Sequence, residues 1–213
     1  ETVDPITGAP LSDEELRAQV MTMVMAGHET TAKALTWSLY LLSQHPEIAA
    51  QVRDELSTVL DGRNATIADL PQLAMTRSVI QEAMRLYPPI WVISRRVVHD
   101  DSLAGYDVPA GSLVCVSPWV LHHSSRYWNE PERFDPARFR TGSGPEPFTY
   151  IPFGGGPRVC IGRGFALIEA QLVLATLCQH LEFELWPVHD VTPQALVTLR
   201  PEHGMAMRVR DAS

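Results

Sequence analysis

The stretch with the clearest chemical potential is Phe153-Gly-Gly-Gly-Pro-Arg-Val-Cys160-Ile-Gly162, which runs straight into a long apolar segment. Cys160 stands just ahead of a predicted helix, where unpaired N–H groups favour thiolate over thiol. The three glycines at 154–156 allow positive φ angles and close approach of the backbone to a flat partner. Arg158, two residues before the cysteine, carries a planar fork that suits a carboxylate. Thiolate, close-approach loop and carboxylate clamp together are what a haem with a cysteine axial ligand requires. Read alone, the stretch fits two plainer alternatives as well: a small buried cysteine ahead of a helix, or a glycine-rich turn.

A second chemically unusual segment lies far upstream. Ser12 and Glu15 stand in the S-x-x-E relation of a capping box, opening a helix that runs to about Gln44, before Pro46. Such a helix spans roughly 45–50 Å, and from Val20 onward it is apolar almost all round, which predicts a central, buried helix. Its middle reads Ala26-Gly27-His28-Glu29-Thr30-Thr31. Gly27 costs about 1 kcal/mol there, and Thr30 or Thr31 can bond back to a carbonyl and bend the helix. Polar, helix-weakening residues in mid-helix point to a site, with a satisfied polar kink as the alternative. A His-Glu-x-x-His zinc site fails, because position 32 is Ala.

The elements between and after these segments follow from periodicity and punctuation. Residues 1–10 read as a loop with Pro5, Gly8 and Pro10. A helix covers 46–60, with Ile48, Val52, Leu56 and Val59 on one stripe and Gly62 beyond its end. Residues 61–73 connect, with room for one helical turn, to a helix at 75–87 stopped by Pro88-Pro89. That helix places Glu82 and Arg85 on one face, a pairing that on a solvated face stabilises little. Strand-like residues at 91–98 and 105–116, with turns at Gly105, Pro109 and Gly111, precede a short helix and loop at 117–128. His122 and His123 in that loop read as solvent-facing or carbonyl-bonded, and Arg133 and Arg138 in the Pro-rich segment 129–139 as exposed loop charges. After Cys160, Phe165, Leu167, Ile168, Leu172, Leu174, Ala175 and Leu177 predict a largely buried helix to about Leu181, with Cys178 in its core. Short strands are expected at 182–186, 195–199 and 205–210, with turns at Pro193 and His203-Gly204.

Composition sets the bounds. The chain has 213 residues, 45% hydrophobic and 20% charged, enough for one globular core. A net charge of -8 without a basic stripe argues against nucleic acid as a partner, so an anionic cofactor must be held by particular arginines. Cys115, Cys160 and Cys178 are widely spaced and odd in number, against both a disulfide framework and a Cys-x-x-Cys zinc site, and a reducing compartment is expected.

Four motifs in order change the weight of these signals. Ala26-Gly27-x-Glu29-Thr30-Thr31, Glu82-x-x-Arg85, Pro131-Glu-Arg133-Phe134 and Phe153-x-x-Gly156-x-Arg158-x-Cys160-x-Gly162 together resemble the C-terminal half of a cytochrome P450. The resemblance covers essentially the whole chain. It implies a mainly α fold with small antiparallel β-sheets (α+β), forming one haem-binding region of a longer domain whose N-terminal half is absent. It implies Cys160 as the axial ligand of the iron of haem b (iron protoporphyrin IX), with backbone N–H groups after it and Gly162 leaving them room. Arg158 and Arg96 would pair with haem propionates, and Phe153 would pack beside the sulfur, with Gly154 and Gly156 shaping the loop. Glu82, Arg85 and Arg133 would form a buried ionic cluster. On the distal side Glu29 and Thr30 would relay protons to bound O2, with Ala26 and Gly27 giving it space. Trp91, Val92, Ile93, Leu196 and Val197 would face the substrate.

The activity so implied is insertion of one oxygen atom of O2 into an apolar organic molecule. Electrons would come from NAD(P)H through a flavoprotein reductase or a ferredoxin docked on the proximal face. The remaining partner would be the chain's own N-terminal half, and a cytoplasmic location is expected, with membrane anchorage left open. Two other classes compete: a haem-binding or gas-sensing module without turnover, disfavoured by Glu29-Thr30, and a truncated, catalytically incompetent interaction fragment. A cysteine nucleophile enzyme is disfavoured, since no His or Asp pattern is tied to Cys160.

Overall fold

The computed structural model describes Val3 and residues 8–140 and 144–212; Pro5, expected as loop punctuation, lies outside the described residues. Helix α1 (Asp13–Gln44) opens with the predicted capping box, Ser12 Oγ accepting from the Glu15 N–H and Glu15 Oε2 accepting from the Ser12 N–H at 2.9 Å. His45 closes it, and Pro46 starts α2 (Pro46–Leu60) at its first position, where a missing N–H costs nothing. Asp61 and Gly62 both take positive φ and end α2. A 3-10 turn at Ile67–Asp69 leads to α3 (Ala74–Leu86), whose first N–H groups are capped from α2 by the Glu55 carboxylate, at 2.6 Å from Met75 N and 2.9 Å from Thr76 N. After a short α4 (Pro118–His122), α5 (Arg163–His180) follows the cysteine loop.

Four two-stranded antiparallel sheets fringe the helices: β1 (Ile93–Arg96) pairs with β4 (Leu113–Val116), β2 (Asp101–Leu103) with β3 (Tyr106–Val108), β5 (Leu181–Leu185) with β8 (Met207–Asp211), and β6 (Pro193–Ala195) with β7 (Leu199–Pro201). The mainly helical, small-sheet architecture is the one expected. Strand β2 escaped the sequence reading because Asp101-Ser102-Leu103 is exposed throughout and has no apolar alternation. Its hairpin is set by Ala104 and Gly105, both at positive φ. The strand expected at 195–199 is corrected: residues 196–198 are the loop of the β6–β7 hairpin, closed by Leu196 N donating to Thr198 O at 3.2 Å, and Pro193 lies in the strand where a turn was expected.

The core forms where α1, α2, α3 and α5 meet, around Val52, Leu56, Leu60, Val79, Ala83 and Leu174. Trp37 of α1 is completely buried and stacks on Tyr87, centroids 4.0 Å apart. Two burial expectations are corrected. The first half of α1 is exposed, with Val20 at 51% and Met25 at 70%, and burial begins only at Thr31. The apolar composition was right, but only the second half of α1 packs on α3 and α5. Likewise Phe165 and Ile168 of α5 are exposed while Ala170, Leu174, Ala175 and Cys178 face the core. Burial pushes the Cys178 thiol up to about 12, so it is an apolar core residue. Among the described residues, no helix is long and apolar enough to cross a membrane.

One polar cluster sits inside this core. Arg85 binds Glu82 with two parallel bonds, Nε to Oε2 at 2.7 Å and Nη2 to Oε1 at 2.8 Å, both side chains fully buried. Its remaining N–H groups go to the carbonyls of His122 (2.9 Å), Pro131 (2.6 Å) and Arg133 (3.0 Å). Burial pushes the Glu82 carboxyl above its ordinary range, and the hydrogen bonds and charge of Arg85 pull it back. The expected third member is corrected. The Arg133 side chain pairs with Glu130 in solvent, 62% exposed, and offers the cluster only its carbonyl. Arg138 takes the place, Nε 3.3 Å from Glu82 Oε1 and 14% exposed. The segment carries Pro-x-Arg-Phe twice, at 131–134 and 136–139. Asp135 gives its N–H to Glu82 at 2.9 Å and caps the 3-10 turn Pro136–Phe139, which folds the second copy back over α3.

His122 corrects the solvent-facing half of its reading. It is fully buried, Nδ1 3.2 Å from the Arg85 carbonyl while Nε2 accepts the Ile151 N–H at 2.9 Å. These partners fix a neutral tautomer, since a protonated Nε2 would meet a donor. His123 is carbonyl-bonded, Nδ1 lying 2.8 Å from Trp119 O.

In urea unfolding, Arg138→Ala is expected to lose about 1–3 kcal/mol of stability, and Arg133→Ala less than about 0.5 kcal/mol. Equal losses would remove Arg138 from the cluster. Burial lowers the His122 pKa from 6.5 to about 4. The unfolded chain therefore takes up a proton as pH falls below 6.5 while the folded chain does not. Stability is complete above pH 6.5 and falls by about 3 kcal/mol on the way to pH 4. His122→Asn should flatten that limb of a stability–pH curve; an unchanged limb would assign the loss to another group.

Candidate active site

The cysteine loop is built by its glycines. Gly154 and Gly156 take φ of +74° and +69°, conformations that L side chains rarely adopt. A Cβ at Gly155 would lie 3.2 Å from the Phe148 ring. The loop closes when Cys160 N donates to Phe153 O at 2.9 Å, and Gly154 N donates to Ile151 O at 3.0 Å. A 3-10 turn at Gly156–Arg158 then delivers Cys160 two residues ahead of Gly162, the N-cap of α5. Cys160 is exposed and is not disulfide-bonded. A Cβ at Gly162 would stand 3.9 Å from Cys160 Sγ, in ordinary contact. Among the described residues no backbone acceptor takes the N–H of Ile161 or Gly162, leaving two donors beside the sulfur.

Above the cysteine lies a cavity of about 680 Å³ between α1, α3, α5 and the loop, within the range of small-molecule and cofactor sites. Its walls bring together Ala26, Gly27 and Thr30 of α1 with Phe153, Cys160 and Gly162. Residues remote in sequence therefore meet across one space. Apart from Thr31, the rest of the wall is apolar and includes Met84, Pro89 and Ala170. Phe165, read from the sequence as a core residue, is another wall residue. A Cβ at Gly27 would meet nothing within 4 Å.

The hydroxyls divide their work. Thr30 Oγ1 donates back to Ala26 O at 2.7 Å, one of the two back-bonds foreseen. Thr31, also on the wall, is buried and its Oγ1 has no partner. Glu29 is not on the wall; its carboxylate Oε1 accepts from Thr198 Oγ1 at 2.8 Å. The two expected proton-relay groups are neighbours in sequence whose side chains have different partners.

Arg158 and Arg96 are exposed, and neither has a carboxylate partner among the described residues. They are cations available to an anion, although neither borders the cavity. The expected substrate-facing residues are not on its wall either. Trp91, Val92 and Ile93 are half-buried, and Leu196 and Val197 are exposed on the β6–β7 loop. From that group of segments only Pro89 reaches the cavity, but Trp91 Nε1 donates to Leu196 O at 2.7 Å, joining the two. Thr198 and Arg138 were not singled out as site or cluster residues. Arg138 was signalled by the repeated Pro-x-Arg-Phe; Thr198 had no signal, because its partner is remote in sequence.

Comparison with known proteins gives one family. The Cytochrome P450 family model matches residues 4–206. Pentalenene oxygenase of Streptomyces avermitilis is 42% identical over 206 residues, 95% of this chain and 45% of the relative. Cyclooctatin synthase of Streptomyces melanosporofaciens is 40% identical over 198 residues, 92% of this chain and 43% of the relative. Human cytochrome P450 4V2 is 37% identical over 208 residues, 95% and 40% respectively. The chain thus spans less than half the length of these relatives. With its thiol loop, glycine-bearing helix and buried Glu-x-x-Arg pair in the matched region, the chain belongs to the cytochrome P450 family.

Proposed function

We propose that this chain is the haem-binding, oxygen-activating region of a monooxygenase that inserts one oxygen atom of O2 into an apolar organic substrate. The observation that carries the reading is the apolar cavity with the Cys160 loop on one side and Ala26, Gly27 and Thr30 on the other. The residues present fit haem b: a free thiol at a helix N-terminus, an apolar wall, and two exposed arginines without a carboxylate partner. When bound through a thiolate, haem supplies O2 activation, the thiolate's electron donation favouring O–O cleavage.

The chain's own residues do the rest. Cys160 presents its sulfur at the cavity wall, two residues ahead of the α5 N-cap. The N–H groups of Ile161 and Gly162, which have no backbone acceptor among the described residues, would be the donors that moderate its charge. Arg158 and Arg96 pair with the propionates. Phe153 packs beside the sulfur and excludes water, while Gly154 and Gly156 hold the loop open. Ala26 and Gly27 leave room against α1. Thr30 donates to Ala26 O, which leaves its oxygen able to accept from a water; rotating off that carbonyl lets the hydroxyl donate instead. Glu29, one residue away, supplies the acid of the relay.

The apolar wall favours an apolar small molecule, in keeping with relatives named for pentalenene and cyclooctatin. Electrons come from NAD(P)H through a flavoprotein reductase or ferredoxin on the thiolate side. The exposed apolar first half of α1 supports a further segment, the N-terminal half of the enzyme, packing there.

The reduced, carbon monoxide-bound holoenzyme should show the red-shifted band of a thiolate-ligated haem. Cys160→Ser should abolish it, and its persistence would name another ligand. Thr30→Ala should keep the band yet lower product formed per electron by about tenfold or more, the difference released as peroxide. Unchanged coupling would take Thr30 out of the relay.

A further inference from the structure

Thr198 lies in the loop between β6 and β7, next to two exposed residues, yet it is only 4% exposed itself. Its hydroxyl donates at 2.8 Å to Glu29 Oε1 and so ties the β6–β7 loop to the carboxylate of α1. The loop that carries it is fixed on three further sides. Leu199 N donates to Pro89 O at 2.9 Å, Trp37 Nε1 to Leu199 O at 3.3 Å, and Trp91 Nε1 to Leu196 O at 2.7 Å. Three of these anchors, Trp37, Pro89 and Trp91, are rigid ring residues, so the hydroxyl is presented from a stiff support.

We propose that Thr198 is a positioning residue for the acid of the proton relay: it holds the Glu29 carboxylate in one rotamer beside Thr30. The inference rests on the reading of Glu29 and Thr30 as that relay. An exposed glutamate otherwise samples many rotamers, and fixing it costs entropy at each turnover. A charge-assisted bond from a buried hydroxyl supplies that order in advance. It occupies one of about four acceptor positions on the carboxylate, leaving the others for the water that carries the proton.

The test compares Thr198→Val, which keeps the shape and removes the donor, with Thr198→Ser, which restores it, in the holoenzyme. Thr198→Val should keep the thiolate band and lower product per electron by about five- to tenfold, the effect of losing one charge-assisted bond. Thr198→Ser should recover coupling to within about twofold of the parent. In the Glu29→Gln background, Thr198→Val should add nothing. A separate readout is the infrared carboxylate band, which should shift in Thr198→Val and not when the same change is made on Glu29→Gln. Coupling and carboxylate band both unchanged in Thr198→Val would overturn the proposal, as would an equal loss in the Glu29→Gln background. If Glu29→Gln alone leaves coupling intact, the relay reading falls and the proposal falls with it; an uncoupled Glu29→Gln beside a silent Thr198→Val overturns the proposal alone.

Discussion

The buried pair of Glu82 and Arg85 is the constraint on which the rest of the structure depends. Two ions without water cost several kcal/mol each unless every donor and acceptor is met. Here the guanidinium places all five N–H bonds: two on Glu82 and three on the carbonyls of His122, Pro131 and Arg133. Glu82 takes the Asp135 N–H and the Arg138 guanidinium as well. Satisfying the pair therefore dictates the path of two irregular segments that have little secondary structure of their own. The desolvation cost is offset by fixing loops that no helix or sheet would hold.

From that pair a relay of hydrogen bonds reaches the chemistry. The Arg85 carbonyl meets His122, His122 takes the Ile151 N–H, Ile151 takes the Gly154 N–H, and Phe153 takes the Cys160 N–H. Apart from the His122 ring, each link is a backbone group. The thiol is thus positioned from behind by a neutral histidine, not by the α5 helix alone. The cavity in front of it is walled mainly by apolar side chains.

How much of this was legible in the sequence follows from the range of each interaction. Ends of α1, α2 and α3 fall within a residue or two of their readings, because Ser12 and Glu15, Pro46, and Pro88 act locally. The motif positions in the wall, Ala26, Gly27, Thr30, Phe153, Cys160 and Gly162, do converge on one cavity. What failed was everything set by a distant partner. Val20 and Met25 are apolar but largely exposed, so composition alone overstated their burial. Arg133 and Arg138 sit in equivalent four-residue patterns, and only the turn capped by Asp135 decides which one reaches Glu82. Thr198 is an ordinary strand-like residue until Glu29, on another element, is placed beside it.

The position of the polar segment in α1 then has a physical reason. Glu29 is exposed, Thr30 half-buried and Thr31 buried, so Ala26-Gly27-His28-Glu29-Thr30-Thr31 spans the point where the helix passes from solvent into the core. Gly27 weakens a helix by about 1 kcal/mol, a loss the chain can bear there because burial of Ala34, Trp37, Leu41 and Leu42 holds the following turns. Placed a few turns later, the same residues would put a glutamate and hydroxyls into the Trp37–Tyr87 core with no partners. Placed earlier, they would stand away from the cysteine loop. At that boundary an acid stays exposed while the next residue, Thr30, lines an apolar cavity, the arrangement that the proposed movement of protons from solvent to a dry site demands.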